Sequence, residues 1–367
     1  MHPSRKDYDR ARRRALSVLE PPPASADAAV ETFLAASADV LDIVGSCWHH
    51  TDPSTGLPVT LAAAGDPAGS FQESLQYEFR RPDVARFAEL RTRRLPLTTI
   101  SAETEGQMSR SRRFREMIEP TGTADELRVA FRDAFGTWSA LVVFTARRLG
   151  EDDLRFVGEL LPAATAALRA GVAAELRPVP AAEPRPGMAA KPRQTNAPVA
   201  PAGDHGGPSV VLLDPADRVI AAGAAARRRL ALLPNAPDGQ VPGLLACLAA
   251  QVRWDQDSPS ASARMRTPDG TWLLADASRL DDGADDCVAV VLQPAPSSAV
   301  LDSVLRSLAL SAREREIAAL VVQGHSTKAI ATSLVLSPWT VQDHLKAIYE
   351  KTGVGGRYEL AGLAPAS

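Results

Sequence analysis

The chain has 367 residues, a formal net charge of −3 and ample apolar content, which predicts two or three domains of roughly 100–200 residues each. The acidic balance gives no global attraction to nucleic acid, so any such affinity must be local. Three widely spaced cysteines (Cys47, Cys247, Cys287) indicate neither a disulfide framework nor a zinc site, no apolar run approaches the ~20 residues of a membrane helix, and the basic start lacks the apolar stretch of a secretory signal, so a cytoplasmic protein without metal, cofactor or membrane partner is expected.

Residues 1–25 read as a leading segment carrying Arg5, Lys6, Arg10 and Arg12 to Arg14. From Ala26 to about 176 the pattern is mixed. Val40 to Trp48 is a helix end running into a strand, Thr98 to Ile100 a short strand and Arg110 to Met117 a helix. Glu126 to Arg132 and Trp138 to Arg147 form a hairpin across Gly136. Glu151, Asp152 and Asp153 cap a long helix from Leu154 to Arg169, with acidic residues at its positive end. Helix, strands and a closing helix resemble the GAF fold. The stretches Phe114–Met117, Asp125–Arg128 and Trp138–Leu141 also resemble the N-terminal region of actinobacterial LuxR-type regulators. Adjacent His49 and His50 point to opposite faces of a strand, which suits one buried and one exposed imidazole better than a shared ligand site. Arg110, Arg112, Arg113 and Arg115 suit the solvated face of their helix better than a grip on an anionic ligand.

Seven prolines between Pro178 and Pro201 prevent helix and sheet ladders, so 177–207 should be an extended linker. Beyond it, Ser209–Asp214 and Arg218–Ala221 read as strands, Ala224–Leu233 and Val241–Trp254 as helices. Ala261–Thr267, Thr271–Ala277 and Cys287–Gln293 follow as strands, with a Pro268-Asp269-Gly270 turn between the first two. This order resembles a PAS domain, a sensor fold with a small-ligand pocket. A PAS-like region that binds a small molecule and one that only dimerises both fit. Cys247 lacks the flanking residues of flavin-adduct relatives and reads as a small buried hydrophobe.

The last segment carries the densest local signals. Ser311 followed by Glu314 is a capping box, and the helix after it keeps Ile317, Leu320 and Val321 on one face before Gly324, which suits a left-handed C′ position. A second short helix follows Ser326. A third opens with Ser337 as N-cap and Pro338 at its first position, buries Val341, Leu345 and Ile348, and ends at Gly353. Two helices joined by a tight turn, the second polar on its outer face, make a helix-turn-helix. The segment 303–367 holds seven Lys/Arg against five Asp/Glu, opposite in sign to the whole chain.

From about Leu310 to Leu360 the chain resembles the LuxR-type helix-turn-helix of bacterial transcriptional regulators. The shared marks are the capping box, the turn from Gly324 to Lys328, Leu336-Ser337, Thr340-Val341-Gln342-Asp343-His344, and Gly353-Val354 followed by Arg357. The resemblance implies base-edge contacts from Gln342, Asp343 and Lys346, and backbone contacts from Lys328, Thr340 and Arg357. It implies structural roles for Glu314, Gly324, Ser337, Val341, Gly353 and Val354. The family often has a cation where this chain has Gln342, and Asp343 adds a negative charge. An amide there can pair with adenine and a carboxylate can accept from cytosine N4, while the missing cation weakens non-specific binding. The last helix, Arg357 to Leu363, is expected to expose Tyr358, Leu360 and Leu363 for pairing with a second copy.

The sequence carries no phosphoacceptor layout of a response regulator, no Gly-Lys dipeptide for an ATPase, and no Gly-x-Ser-x-Gly, His-x-x-x-His or Cys-x-x-Cys of an enzyme. The expected protein is therefore a multidomain α+β regulator and not an enzyme. Its parts are a segment 1–25, a GAF-like α/β sensor domain 26–176, a linker 177–207, a PAS-like α/β sensor domain 208–295, and an all-α four-helix LuxR-type domain 303–367. Its partners would be double-stranded DNA, a second copy of itself and an unidentified small-molecule ligand. The alternative is a ligand-sensing or protein-interaction regulator whose terminal domain has lost DNA binding.

Overall fold

Two five-stranded antiparallel sheets and a terminal helical unit make up the computed structural model, which describes residues 4–60, 62–64, 74–81, 83–176, 207–233, 241–255, 259–267, 269–280 and 286–363. The Pro-rich stretch 177–206 and Pro268 lie outside the described residues.

The first sheet is built from β1 (Ile43–His50), β2 (Ala62–Ala64), β3 (Leu97–Thr99), β4 (Asp125–Asp133) and β5 (Gly136–Thr145), in the order β2-β1-β5-β4-β3. Three helices cover one face: α1 (Arg5–Leu19), α2 (Ala26–Leu41) and a long one from Glu151 to Leu176. The segment expected only to lead into the domain is thus a helix of its core. Tyr8, Ala11, Ala15, Leu16 and Leu19 recur at helical spacing, and Ala15 and Leu19 are buried. Alternation along the hairpin sends Leu127, Val129, Phe131, Leu141 and Val143 to this face.

The opposite face of the sheet receives Val142 and Phe144, which pack with Ile100, Met108, Phe114 and Ile118. Two four-residue helices lie on this side, α3 (Phe87–Leu90) and α4 (Ile100–Glu103). Arg110, Arg112 and Arg115 are exposed, but Arg113 is not: it is 1% exposed. Its guanidinium meets Glu126 at 2.9 Å, Glu126 meets Arg128 at 2.6 Å, and Arg128 meets Glu78 at 2.9 Å. A strand face that buries Glu126 and Arg128 needs counter-charges from the covering segment, and Arg113 supplies one. The helix from Glu151, named α5 (Glu151–Leu176), is long and apolar enough by length and composition to cross a membrane, unlike the shorter run read from sequence. Its Phe156, Val157, Leu160, Ala164 and Leu168 are instead packed into the first core.

The second sheet, β6 (Ser209–Leu213), β7 (Val219–Ala222), β8 (Ser260–Arg266), β9 (Trp272–Arg279) and β10 (Val288–Pro294), has the order β7-β6-β10-β9-β8. Each sheet therefore follows the same second-first-fifth-fourth-third arrangement. Between β7 and β8 lie α6 (Ala224–Leu230) and α7 (Gly243–Trp254), the latter buried along nearly its whole length. Cys247 is fully buried on α7, where burial pushes its thiol well up and leaves it unreactive. Leu57 and Leu75 of the first region complete this second core.

A helix α8 (Ser297–Ser307) fills the gap left between the regions expected at 208–295 and 303–367, with Pro296 as its N-cap. It carries Leu301 and Leu305 into the core of the terminal unit, which comprises α9 (Ala312–Val322), α10 (Thr327–Ser333), α11 (Pro338–Thr352) and α12 (Arg357–Ala361). The terminal core therefore starts before residue 303.

Candidate nucleic-acid interface

Local caps open α9, α10 and α11, and longer-range bonds tie the terminal helices together. Ser311 accepts from the Glu314 N–H at 3.3 Å while the Glu314 carboxylate accepts from the Ser311 N–H at 2.7 Å. The same carboxylate takes two bonds from the Lys351 ammonium, at 2.8 and 2.7 Å, tying the end of α11 back to the start of α9. Burial pushes the Glu314 carboxyl up, but Lys351 and the Ser311 backbone outweigh it and hold it below its ordinary value. Gly324 closes α9 at φ 87 and Gly353 closes α11 at φ 72, both in the left-handed region where a Cβ is strained.

At the second turn, Ser326 accepts from Ala329 N–H and Ser337 accepts from Thr340 N–H at 3.0 Å, with Pro338 as the first residue of α11. Val341, Leu345 and Ile348 face the core and are buried. Gln342, Asp343 and Lys346 are exposed on the other side, one helical turn apart. Lys328 is exposed at the start of α10. Thr340 is half-buried, its hydroxyl 2.9 Å from that of Ser337. Arg357 donates to the His325 carbonyl and the Thr327 hydroxyl, both at 2.8 Å, and so braces the turn that presents Lys328. Val354 packs at the edge of the core.

Two findings differ from the sequence-based expectation. Leu360 is fully buried and belongs to the terminal core, and Leu363 packs against it, whereas Tyr358 stays 93% exposed. In a helix this short, neighbours two residues apart face opposite ways, so Leu360 and Tyr358 cannot share a surface. Sequence reasoning also passed over Trp339 and Val335, which are 74% and 91% exposed at the leading end of α11. The available signal was a tryptophan at the second position of a polar-faced helix, outside its apolar spacing.

His49 and His50 sit on opposite faces of β1. His50 and Trp48 both bond Asp27, at 2.9 and 2.7 Å, while His49 stacks edge-on against Phe87. A cleft of about 180 Å³ lies between the two sheet regions, lined by Thr55, Leu57, Arg91, Gln251, Ser260, Ala261 and Ser262. It is smaller than the roughly 300–1,000 Å³ of drug-sized sites.

Residues 308–364 match the family model described as bacterial regulatory proteins, luxR family. Among curated relatives, the spore germination protein GerE of Bacillus subtilis is 46% identical over 48 residues, covering 13% of this chain and 65% of that protein. The transcriptional regulatory protein NarL of Mycobacterium tuberculosis is 48% identical over 48 residues, covering 13% and 22%. An HTH-type transcriptional regulator from Aeromonas salmonicida is 31% identical over 111 residues, covering 30% and 46%. The chain thus spans less than two thirds of the length of each. Among solved structures, VqmA of Vibrio cholerae with ligand and DNA aligns over 42% of this chain and 80% of that one, at 21% identity and a TM-score of 0.22. The Escherichia coli DhaR(N)–DhaL complex aligns over 80% and 92%, at 12% identity and a TM-score of 0.24. Overlaps this loose carry no weight for the overall fold.

Proposed function

We propose, on the premise that residues 308–364 are a LuxR-family helix-turn-helix domain, that this protein is a sequence-specific DNA-binding transcriptional regulator that docks α11 in a major groove. The observation that carries this reading is the exposed stripe Gln342, Asp343 and Lys346 on a helix capped at both ends, with Lys328 exposed beside it. Gln342 suits adenine N6 and N7, Asp343 suits cytosine N4, and Lys346 suits guanine O6 and N7. Lys328 holds a phosphate. Thr340 and Arg357 flank the same backbone, while their internal bonds order the turn.

We read 26–176, with α1 packed into its core, and 208–295 as GAF-like and PAS-like sensor domains joined by the linker 177–207. Their element order and the strand arrangement common to both sheets support reading them as two sensor domains of related architecture. The small polar cleft suits a ligand of a few heavy atoms. Control passes through α8, whose residues bond both to the sensor regions and to α9. Because the stripe on α11 stays open in this arrangement, the sensor regions act on how two terminal domains pair, and not by covering the reading face. The pairing is that of a homodimer through α12, working on DNA in a bacterial cytoplasm, and the protein does no catalysis.

The test is a genomic binding profile of the full chain against its Gln342→Ala/Lys346→Ala variant. An enriched motif that the variant loses supports the reading. A profile without any enriched motif favours the second reading, a protein-interaction regulator that has lost DNA binding; the opposed charges of Asp343 and Lys346 on the stripe leave room for it.

A further inference from the structure

We infer that Trp339 is a base-reading side chain, seating its indole against the 5-methyl group of a thymine at the leading end of α11. This rests on the DNA-binding reading above and names one base step within it.

The placement comes first. Trp339 is the second residue of α11 and is 74% exposed. From Trp339, the residues three and four on are Gln342 and Asp343, and the residue seven on is Lys346. That spacing puts the indole in line with the exposed polar stripe, opposite Val341, Leu345 and Ile348. A groove-entering helix meets base edges mainly with its N-terminal residues, which is where Trp339 stands.

The turn before the helix adds an independent observation. Val335 has φ 54, a left-handed conformation that a β-branched residue rarely adopts. The Leu336 N–H donates to the Ala331 carbonyl at 2.9 Å, which fixes the turn. Its outcome is a second large apolar side chain, 91% exposed, four residues before the indole. A strained apolar residue and an open indole flanking one helix start are unusual on a solvated surface.

Base chemistry then selects the occupant. In the major groove thymine shows a methyl group and the O4 acceptor. Indole offers an apolar face and one N–H donor, with no acceptor. Cytosine shows a donor and no methyl, so it satisfies neither property. Guanine and adenine have acceptors but no methyl to cover. The apolar contact also supplies affinity that salt does not screen, on a face where Asp343 opposes Lys346.

The experiment uses the full-length protein and the motif from its genomic profile, with each thymine replaced in turn by uracil, which removes only the methyl. Wild type should lose about four-fold in affinity at one thymine per half-site, the worth of one buried methyl. Trp339→Gln should bind the parent site more weakly and be indifferent to that one replacement. Trp339→Phe should keep part of the discrimination. Equal sensitivity of wild type and Trp339→Gln at every thymine would overturn the assignment. So would an equal loss by Trp339→Gln on cognate and random DNA, which marks a backbone contact. Unchanged DNA binding by Trp339→Gln also overturns it and leaves the indole to a protein partner. Failure of the wild type to bind any DNA would instead sink the functional reading itself.

Discussion

Asp302 of α8 holds Arg315 of α9 at 3.1 Å, and the same carboxylate takes Arg306 at 2.7 Å. Arg264 of β8 reaches it at 3.7 Å and is itself gripped by Asp52, near the end of β1, at 2.7 Å. Asp52, Arg264, Asp302 and Arg315 thus link the first region, the second sheet and the helix-turn-helix. Arg306 also donates to the Phe135 carbonyl and Arg169 to that of Ser307, so the C-terminal end of α8 is bonded to the first region.

Asp52 is 1% exposed, and burial pushes its carboxyl up while Arg264 more than offsets this and holds it low. Arg264→Met should therefore strand a buried charge and cost about 3–5 kcal/mol. Arg264→Met combined with Asp52→Leu should recover most of that loss. Urea unfolding midpoints of the two variants check it; equal destabilisation by both would show that the pair does not hold the junction.

Lys346 and Lys328 should separate in kind. Lys346→Ala is expected to cost about 1–3 kcal/mol on the preferred site and relax base choice at one position. Lys328→Ala should weaken cognate and random DNA alike and lower the salt slope by about one. Randomised-site selection and titrations across salt read the two effects.

The pairing surface is tested at Tyr358 and not at Leu360. Tyr358→Glu should weaken self-association and cognate binding without lowering the melting temperature, since the ring is 93% exposed. Leu360→Glu places a carboxylate in the terminal core and should cost about 3 kcal/mol or more. Sedimentation and thermal melts distinguish them; a Tyr358→Glu protein that associates and binds as the parent does would rule out this helix as the contact.

His49 supplies a pH dependence with a definite sign. Burial, then the nearby charges of His50, Arg128 and Arg91, push its imidazole from 6.5 down to about 3. The unfolded chain takes up a proton near pH 6.5 that the folded chain refuses. Stability contributed by neutral His49 is thus complete above pH 6.5 and falls, by about 1.4 kcal/mol per pH unit, as pH drops towards 3. His49→Phe should flatten the curve between pH 6.5 and 5, where ordinary carboxylates do not yet contribute. Identical curves for the two proteins would place the imidazole elsewhere.

Much of the terminal unit was legible because its signals are local. Ser311 and Glu314, Ser337 and Thr340, Gly324 and Gly353 act within three or four residues of one another, so their spacing in the chain is their spacing in space. The strands of both sheets were readable for the same reason: alternation and turn residues are short-range properties. Helix α1 escaped because its apolar residues lie among six arginines and lysines that mask the periodicity.

What the tertiary structure alone decided are the matters settled by residues far apart in sequence. Arg113 reads as one more surface cation until Glu126 meets it from the face of the first sheet that its segment covers. Leu360 reads as exposed until α9 packs against α12 and closes over it. Asp302 is an ordinary helix-surface carboxylate until Arg264 and Arg315 converge on it. Capping and alternation are written in neighbouring residues, whereas burial and ion pairing depend on which distant segments meet.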